Sequence, residues 1–219
     1  SRGSRQALLV GDMPFMSYHA SVEQAITSAG RSLQDGGMHG VKLEGGGRIV
    51  EITQRLTAMG IPVMGHLGLT PQFVHQMGGF KVQGKSESQA ARILADAKEL
   101  EQAGAFSLVL EGVPNAVATR VTRALHIPTI GIGAGPGTDG QVLVLHDMLG
   151  ITSGKPPKFV KRYANLAEEI GKAAQQFAQE VGAGSFPGPE HTYSANGAAP
   201  GSKETREKEP QEEVKYGAG

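Results

Sequence analysis

The sequence predicts a parallel α/β fold of six strand-plus-helix units, and three observations support this prediction. Short apolar runs alternate along the chain with longer amphipathic stretches of helical periodicity. Three of the apolar runs end in a carboxylate, at Asp12, Glu44 and Glu111. Residues 61–65 and 127–131 share one pattern, which indicates a repeated unit. These features favour either an open, doubly wound sheet or a barrel that lacks two of its eight units.

The composition is typical of a single globular domain. With 219 residues and 39% hydrophobic residues, the chain can bury a core as one domain. Its 21 basic and 21 acidic residues give a formal net charge of zero, which favours neither a nucleic-acid nor a membrane partner. The absence of cysteine excludes disulfides, thiolate metal ligands and cysteine nucleophiles. We expect a catalytic domain over residues 1–193 and a disordered tail over residues 194–219.

The first unit begins with the apolar run 8–12, which has the length and composition of a β-strand. Ser21, followed three residues later by Gln24, has the pattern of a capping box and predicts the start of a helix. The helix is predicted to end at Gly36 and Gly37. Its apolar stripe contains Val22, Ala25, Ile26, Ala29 and Leu33.

The next units repeat this pattern. A strand over residues 40–44 leads into a helix over residues 48–59. A strand over residues 61–66 has its proline near its start, where a missing N–H is tolerated. A loop over residues 78–86 then precedes a helix over residues 87–103. The inward residues of the helix over residues 48–59 are predicted to be Ile49, Ile52, Leu56 and Met59.

The last units carry more glycine. The strand that ends at Glu111 is followed by a helix near residues 115–125, and a glycine loop over residues 131–140 leads to a strand over residues 142–145. A final amphipathic helix is predicted near residues 157–181. Its apolar residues are Phe159, Tyr163, Leu166, Ile170, Ala174, Phe177 and Val181.

The end of the second strand is the strongest candidate for a site. Lys42 and Glu44 are two residues apart in a strand, so their side chains point to the same face. Three glycines follow and leave open backbone beyond the strand end. Because the carboxyl ends of parallel strands lie at one edge of a sheet, we expect Asp12 and Glu111 to converge on the same centre.

Several blocks of the sequence resemble the ketopantoate hydroxymethyltransferase family, in order and with the family's spacing, from about residue 2 to residue 193. These blocks are residues 11–15 (GDMPF), 41–46 (VKLEGG), 65–72 (GHLGLTPQ), 79–85 (GFKVQGK), 110–114 (LEGVP), 131–135 (GIGAG), 139–141 (DGQ), 146–147 (HD) and 186–191 (FPGPEH).

The resemblance implies a (β/α)8 TIM barrel, with about six of its eight units in this chain and the first two missing. It implies transfer of a hydroxymethyl group from methylenetetrahydrofolate to 3-methyl-2-oxobutanoate, which gives 2-dehydropantoate by way of a Mg2+-stabilised enolate. This is the first step of pantothenate biosynthesis. The family further implies a homo-oligomer, often a decamer, in the bacterial cytoplasm or, in a eukaryote, the mitochondrial matrix.

The resemblance also implies roles for individual residues. Asp12 binds magnesium and contacts the substrate, and Glu44 holds the metal through water. Lys42 meets the carboxylate of the keto acid, and Glu111 is the catalytic base. His66 either lines the pocket as a substrate-binding residue or holds a loop.

Other motifs are read as secondary features. His146 and Asp147 are expected to be structural, because adjacent residues of a strand face opposite ways. Gly131 and Gly133 match the start of the GxGxxG dinucleotide fingerprint, but Pro136 stands where its third glycine should be. This segment therefore favours a loop beside the folate pocket. Lys81 and Lys85 are either solvated or close to the glutamate tail of the folate.

Two alternatives to the transferase remain at this stage. One is a magnesium-dependent lyase or aldolase of the isocitrate-lyase-like barrels, which acts on 2-oxo acids and shares the metal and the acidic strand ends. The other is a non-catalytic remnant. The family carries an Asp-Ser pair on an earlier strand, and we expect this pair to be missing here, so that Asp12 and Glu44 form only part of the magnesium shell.

Overall fold

The computed structural model describes residues 2–193, and the predicted tail over residues 194–219 lies outside the described residues. The chain divides into two compact units, Ser1–Ala164 and Asn165–Gly219. The first unit contains the β-sheet and five helices, and the second contains one long helix among its described residues. The assignment of residues 1–193 to one catalytic domain stays a prediction.

Within the described residues, six strands form one parallel sheet in the order of the chain. Because a doubly wound sheet reverses its strand order at a switch point, this order excludes the open alternative and corresponds to six units of a barrel. The strands are β1 (Val10–Asp12), β2 (Gly40–Glu44), β3 (Val63–Gly68), β4 (Ser107–Glu111), β5 (Thr129–Ile132) and β6 (Gly140–Gln141).

The two longest helices of the first unit begin at serine caps. Ser21 Oγ accepts a hydrogen bond from Gln24 N at 3.1 Å, but the Gln24 side chain accepts from Ala20 N, so the predicted capping box forms only in part. Ser86 and Gln89 form a complete capping box that the sequence analysis missed. The helices are α1 (Val22–Gln34), α2 (Arg48–Ala58), α3 (Glu87–Gln102), α4 (Asn115–Ala124), α5 (Leu145–Met148) and, in the second unit, α6 (Leu166–Gly182).

The sheet has two different faces, because successive residues of a strand point to opposite sides. On one face, residues such as Val41, Leu43 and Leu108 are fully buried and pack with apolar residues of α1 to α4. On the other face, the alternate residues line an open cavity. The apolar strand residues on this cavity face are Val10, Met64, Val109, Ile130 and Ile132.

The predicted core positions of α1 and α2 are confirmed with one exception. Ala25 and Ala29 of α1 and Ile52 and Leu56 of α2 are buried. Met59 was predicted to face inward and is 55% exposed, so this prediction was wrong. The reason is that α2 ends at Ala58, and Met59 follows the last helical turn.

The structure also corrects two predicted strands. The third strand covers Val63–Gly68 instead of residues 61–66. The predicted strand over residues 142–145 is wrong: β6 ends at Gln141, the chain leaves the sheet, and Leu145 begins α5. Periodicity alone could not show that the sheet pairing ends before this apolar run.

The final helix begins at Leu166, and residues 157–165 before it are irregular. Phe159 and Tyr163 were assigned to the helix from their spacing, but both make tertiary contacts in the first unit. The Phe159 ring lies against Gly133, where an added Cβ would be 2.7 Å from the ring. Tyr163 N donates a hydrogen bond to Met148 O at 2.8 Å. These contacts replace the predicted helical turns.

Gly68 is expected to be essential for the end of β3. Its φ is +94°, and an added Cβ would clash with the Glu111 carbonyl oxygen. Because neither backbone can move without loss of the β3–β4 pairing, we expect Gly68→Ala to lower the free energy of unfolding by about 2 kcal/mol or more. Urea denaturation measures this change.

Gly30→Ala is the matched control, because Gly30 lies within α1 with open space around it. This variant should raise the free energy of unfolding by about 0.5–1 kcal/mol. Equal effects of the two substitutions would contradict the account of Gly68.

Candidate active site

All five residues predicted to form the site line one cavity of about 990 Å³ in the first unit. They are Asp12, Lys42, Glu44, His66 and Glu111, from four adjacent strands. Each lies on the cavity face of its strand and at or near the carboxyl end, where parallel α/β folds build their sites. The structure therefore brings the predicted residues together, while their individual roles stay predictions.

Lys42 joins two of these residues. Its Nζ lies 2.7 Å from Asp12 Oδ1 and 3.3 Å from His66 Nδ1. An ammonium group can only donate, so Nδ1 of His66 is the acceptor and the ring proton lies on Nε2 when the histidine is neutral. The Lys42 side chain is largely buried, whereas that of Asp12 is 60% exposed to the cavity or solvent. This arrangement fixes the orientation of the imidazole ring.

The other side of the His66 ring faces Glu111. His66 Nε2 lies 3.2 Å from Glu111 Oε2, yet Nε2 has no hydrogen-bond partner of suitable geometry among residues 2–193. The N–H group is therefore close to the carboxylate but directed away from it. His66 is only 2% exposed, so Nε2 is a buried polar atom without a hydrogen-bond partner in the described part of the chain.

Glu44 is a carboxylate in a buried position. Its residue exposure is 3%, and Oε2 accepts a hydrogen bond from Gln72 N at 2.9 Å. Oε1 lies 3.7 Å from His66 Nδ1. Burial raises the pKa of the Glu44 carboxyl above its ordinary value, and the hydrogen bond from Gln72 offsets part of that shift.

The sequence analysis missed two residues that contact Glu44. The Tyr18 hydroxyl donates to Gln72 Oε1 at 2.8 Å and accepts from Glu44 N at 3.2 Å. Burial raises the pKa of Tyr18 strongly, so its hydroxyl is a neutral donor at ordinary pH. Gln72 was noticed only as a member of the 65–72 block, and nothing in the sequence marked Tyr18.

The carboxylates suit a magnesium ion only if the substrate or water supplies further ligands. No cluster of three or more histidine or acidic side chains in residues 2–193 has the arrangement of a metal site. Mg2+ often takes one or two protein carboxylates together with oxygen atoms of substrate and water. Asp12 and Glu44 fit this pattern, and the contact of Lys42 Nζ with Asp12 shows that a cation is favourable there.

The secondary motifs lie at different places around the cavity. His146 and Asp147 are in α5 and not in a strand as predicted, and Asp147 lines the cavity. Gly133 lines the cavity, as expected for a loop beside the pocket. Lys81 also lines it, whereas Lys85 does not.

A parallel α/β sheet in chain order, with acidic strand ends around one cavity, defines an enzyme-type site for a small, polar substrate. The profile of the ketopantoate hydroxymethyltransferase family matches residues 1–189. The chain therefore belongs to this family, as the sequence blocks predicted.

Curated relatives agree with this assignment. The chain is 59% identical over 193 residues to the 3-methyl-2-oxobutanoate hydroxymethyltransferase of Syntrophus aciditrophicus (strain SB). This match covers 88% of this chain and 71% of that protein. It is 56% identical over 194 residues to the enzyme of the same name from Thermobifida fusca (strain YX). This match covers 89% of this chain and 69% of that protein. These names favour the transferase over the lyase or aldolase alternative. In the described part of the chain, no helix has the length and hydropathy needed to cross a membrane.

Burial of Glu44 leads to a pH-dependent prediction for the metal-free protein. Since its pKa is higher in the folded than in the unfolded state, the contribution of Glu44 to folded stability is most favourable below the unfolded pKa and becomes less favourable as pH rises through the folded pKa. Glu44→Gln removes the ionisable group and with it this loss of stability, so we expect the variant to be more stable than the wild type at pH 7. The difference should shrink towards pH 4.

Urea unfolding with a chelator present, at pH 4 and pH 7, measures this difference. Glu99→Gln, at an exposed position in the interior of α3, is the control and should behave as the wild type at both pH values. A wild type that is more stable than Glu44→Gln at pH 7 would contradict the prediction.

Proposed function

We propose that this chain transfers a hydroxymethyl group from methylenetetrahydrofolate to 3-methyl-2-oxobutanoate, which gives 2-dehydropantoate for pantothenate biosynthesis. Membership of the ketopantoate hydroxymethyltransferase family supports the reaction. The observation that carries the mechanism is the convergence of three carboxylates and an ammonium group on one cavity.

The reaction requires removal of the proton on C3, which is the carbon next to the ketone. Glu111 is the proposed base, because its side chain is 15% exposed and lies at the cavity face of β4. The carboxylate accepts the C3 proton, and the electron pair moves towards the keto oxygen. Water adds to the one-carbon unit of the folate and breaks its bonds to the folate nitrogens, so that tetrahydrofolate leaves and the carbon is released at the oxidation level of formaldehyde. C3 then forms a bond to this carbonyl carbon, and the carbonyl oxygen takes up a proton to become the hydroxyl of the hydroxymethyl group.

Lys42 is proposed to bind the carboxylate of the keto acid. Its buried ammonium group supplies a fixed positive charge close to where the enolate forms. Asp12 and Glu44 would hold a magnesium ion, which supplies Lewis-acid stabilisation of the charge on the keto oxygen when it is bound. His66 is proposed as a substrate-binding residue, because its unpaired Nε2–H is close to Glu111.

The size and lining of the cavity support a second, larger substrate. About 990 Å³ is far more than a five-carbon keto acid fills. The lining includes the exposed apolar residues Phe80, Val82 and Phe159, together with Lys81. Aromatic and apolar side chains suit the flat ring system of a folate. The homo-oligomeric state and the cytoplasmic location stay predictions from the resemblance.

Replacement of the base tests the mechanism. We expect Glu111→Gln to retain Mg2+ and keto-acid binding but to slow exchange of the C3 proton with deuterated water by about 100-fold or more. NMR of the keto acid in D2O measures exchange without the folate. Glu99→Gln should exchange at the wild-type rate, and wild-type exchange in Glu111→Gln would remove Glu111 from the role of base.

Replacement of Lys42 should have opposite effects on the two ligands. Lys42 competes with a metal ion for Asp12 through the 2.7 Å contact, so Lys42→Met is expected to strengthen Mg2+ binding. The same variant loses the partner of the substrate carboxylate and should bind the keto acid roughly 10- to 100-fold more weakly.

Calorimetric titrations with Mg2+ alone and with the keto acid measure both effects. Lys85→Met is the control, since Lys85 is exposed and does not line the cavity. Unchanged keto-acid binding in Lys42→Met would exclude the proposed contact.

A further inference from the structure

Gln72 lies where three separate segments of the chain meet. It belongs to a short 3-10 helix, Pro71–Phe73, that follows β3. Its main-chain N–H donates to Glu44 Oε2 at 2.9 Å, its Oε1 accepts from the Tyr18 hydroxyl at 2.8 Å, and its Nε2 donates to Met13 O at 2.8 Å. The main-chain N–H and both polar atoms of the side chain are therefore engaged.

These contacts reach the two strand ends that carry the carboxylates proposed to bind metal. Gln72 also lines the cavity, whereas Tyr18 does not. Met13 directly follows Asp12, so the bond from Gln72 Nε2 fixes the backbone at the end of β1. The Tyr18 hydroxyl accepts from Glu44 N and so fixes the backbone at the end of β2. The Gln72 N–H holds the Glu44 carboxylate itself. One glutamine thereby sets the relative position of two strand ends.

Tyr18 completes the arrangement from the other side. The residue is fully buried, and its hydroxyl is the hydrogen-bond partner of both Gln72 and Glu44. A buried tyrosine hydroxyl with two partners has one orientation, because any rotation leaves a polar group unpaired at a cost. The Gln72 amide therefore has a fixed assignment, with Oε1 towards Tyr18 and Nε2 towards Met13.

We propose that Tyr18 and Gln72 are positioning residues that hold Asp12 and Glu44 in the geometry needed to bind a divalent cation. This inference rests on the proposed function, because it assumes that Asp12 and Glu44 are the metal carboxylates. The groups that orient a metal ligand contribute strongly to affinity, and their loss costs about 10- to 100-fold. Neither residue touches the cation or the substrate in this role.

Tyr18→Phe is the most direct test, because it removes one oxygen atom and keeps the buried ring. We expect its Mg2+ affinity, measured by calorimetry on the full chain, to fall about tenfold. Gln72→Leu removes both side-chain hydrogen bonds but keeps the main-chain N–H, and we expect a decrease at least as large. This second variant tests the proposal independently if Tyr18→Phe does not fold.

Ser107→Ala is the matched control. Ser107 is also buried, and its hydroxyl donates to Pro128 O at 2.9 Å, but it does not line the cavity. Tyr18→Phe and Ser107→Ala each lose one buried hydroxyl, so both should lower the unfolding temperature, and only Tyr18→Phe should weaken Mg2+ binding.

The outcomes separate this inference from the proposed function. If the wild type binds Mg2+ and Tyr18→Phe and Gln72→Leu both bind it with the same affinity as the wild type, that result would overturn the positioning role and leave the proposed metal site intact. Equal loss of affinity in Ser107→Ala would also overturn it, because the effect would then follow stability alone. A wild type that does not bind Mg2+ would overturn both the metal site and this inference.

Discussion

The alternation of side chains along parallel strands is the constraint on which the rest of this structure depends. Leu43, Leu108 and similar residues must face the helices to be buried, so their neighbours must face the cavity. Apolar packing on one face thereby determines which side chains meet on the other. Lys42 and Glu44 reach the cavity because Val41 and Leu43 do not. The chemistry of the site therefore depends on the same register that builds the core.

The site concentrates charge in a place where charge is costly. Glu44 is almost fully buried and carries a raised pKa, and the Lys42 ammonium group is close to both Asp12 and His66. Acidic and basic groups partly compensate one another, the Gln72 N–H donates to the Glu44 carboxylate, and the Tyr18 hydroxyl accepts from the Glu44 main-chain N–H. The fixed positive charge of Lys42 favours an anionic transition state, whereas the three carboxylates would favour a bound cation beside them.

Much of this could be predicted from the sequence, because strands and helices leave local periodic signals. Five of the six strands, the helices α1 to α4 and the five residues predicted to form the site followed from those signals and from the family resemblance. Tyr18 and Gln72 could not be predicted, since the contact between them spans 54 positions of the chain. Phe159 was misassigned because its spacing suits a helix, whereas its partner, Gly133, is distant in sequence.

The central claim is that Asp12 and Glu44 hold one divalent ion beside a keto acid that faces Glu111. Anomalous diffraction from crystals grown with Mn2+ and 3-methyl-2-oxobutanoate tests it most directly. The account predicts one strong peak on the cavity side of Asp12, within reach of Glu44 directly or through one water molecule, and C3 of the keto acid next to the Glu111 carboxylate. A metal peak away from both carboxylates, or a keto acid bound with C3 turned away from Glu111, would contradict it.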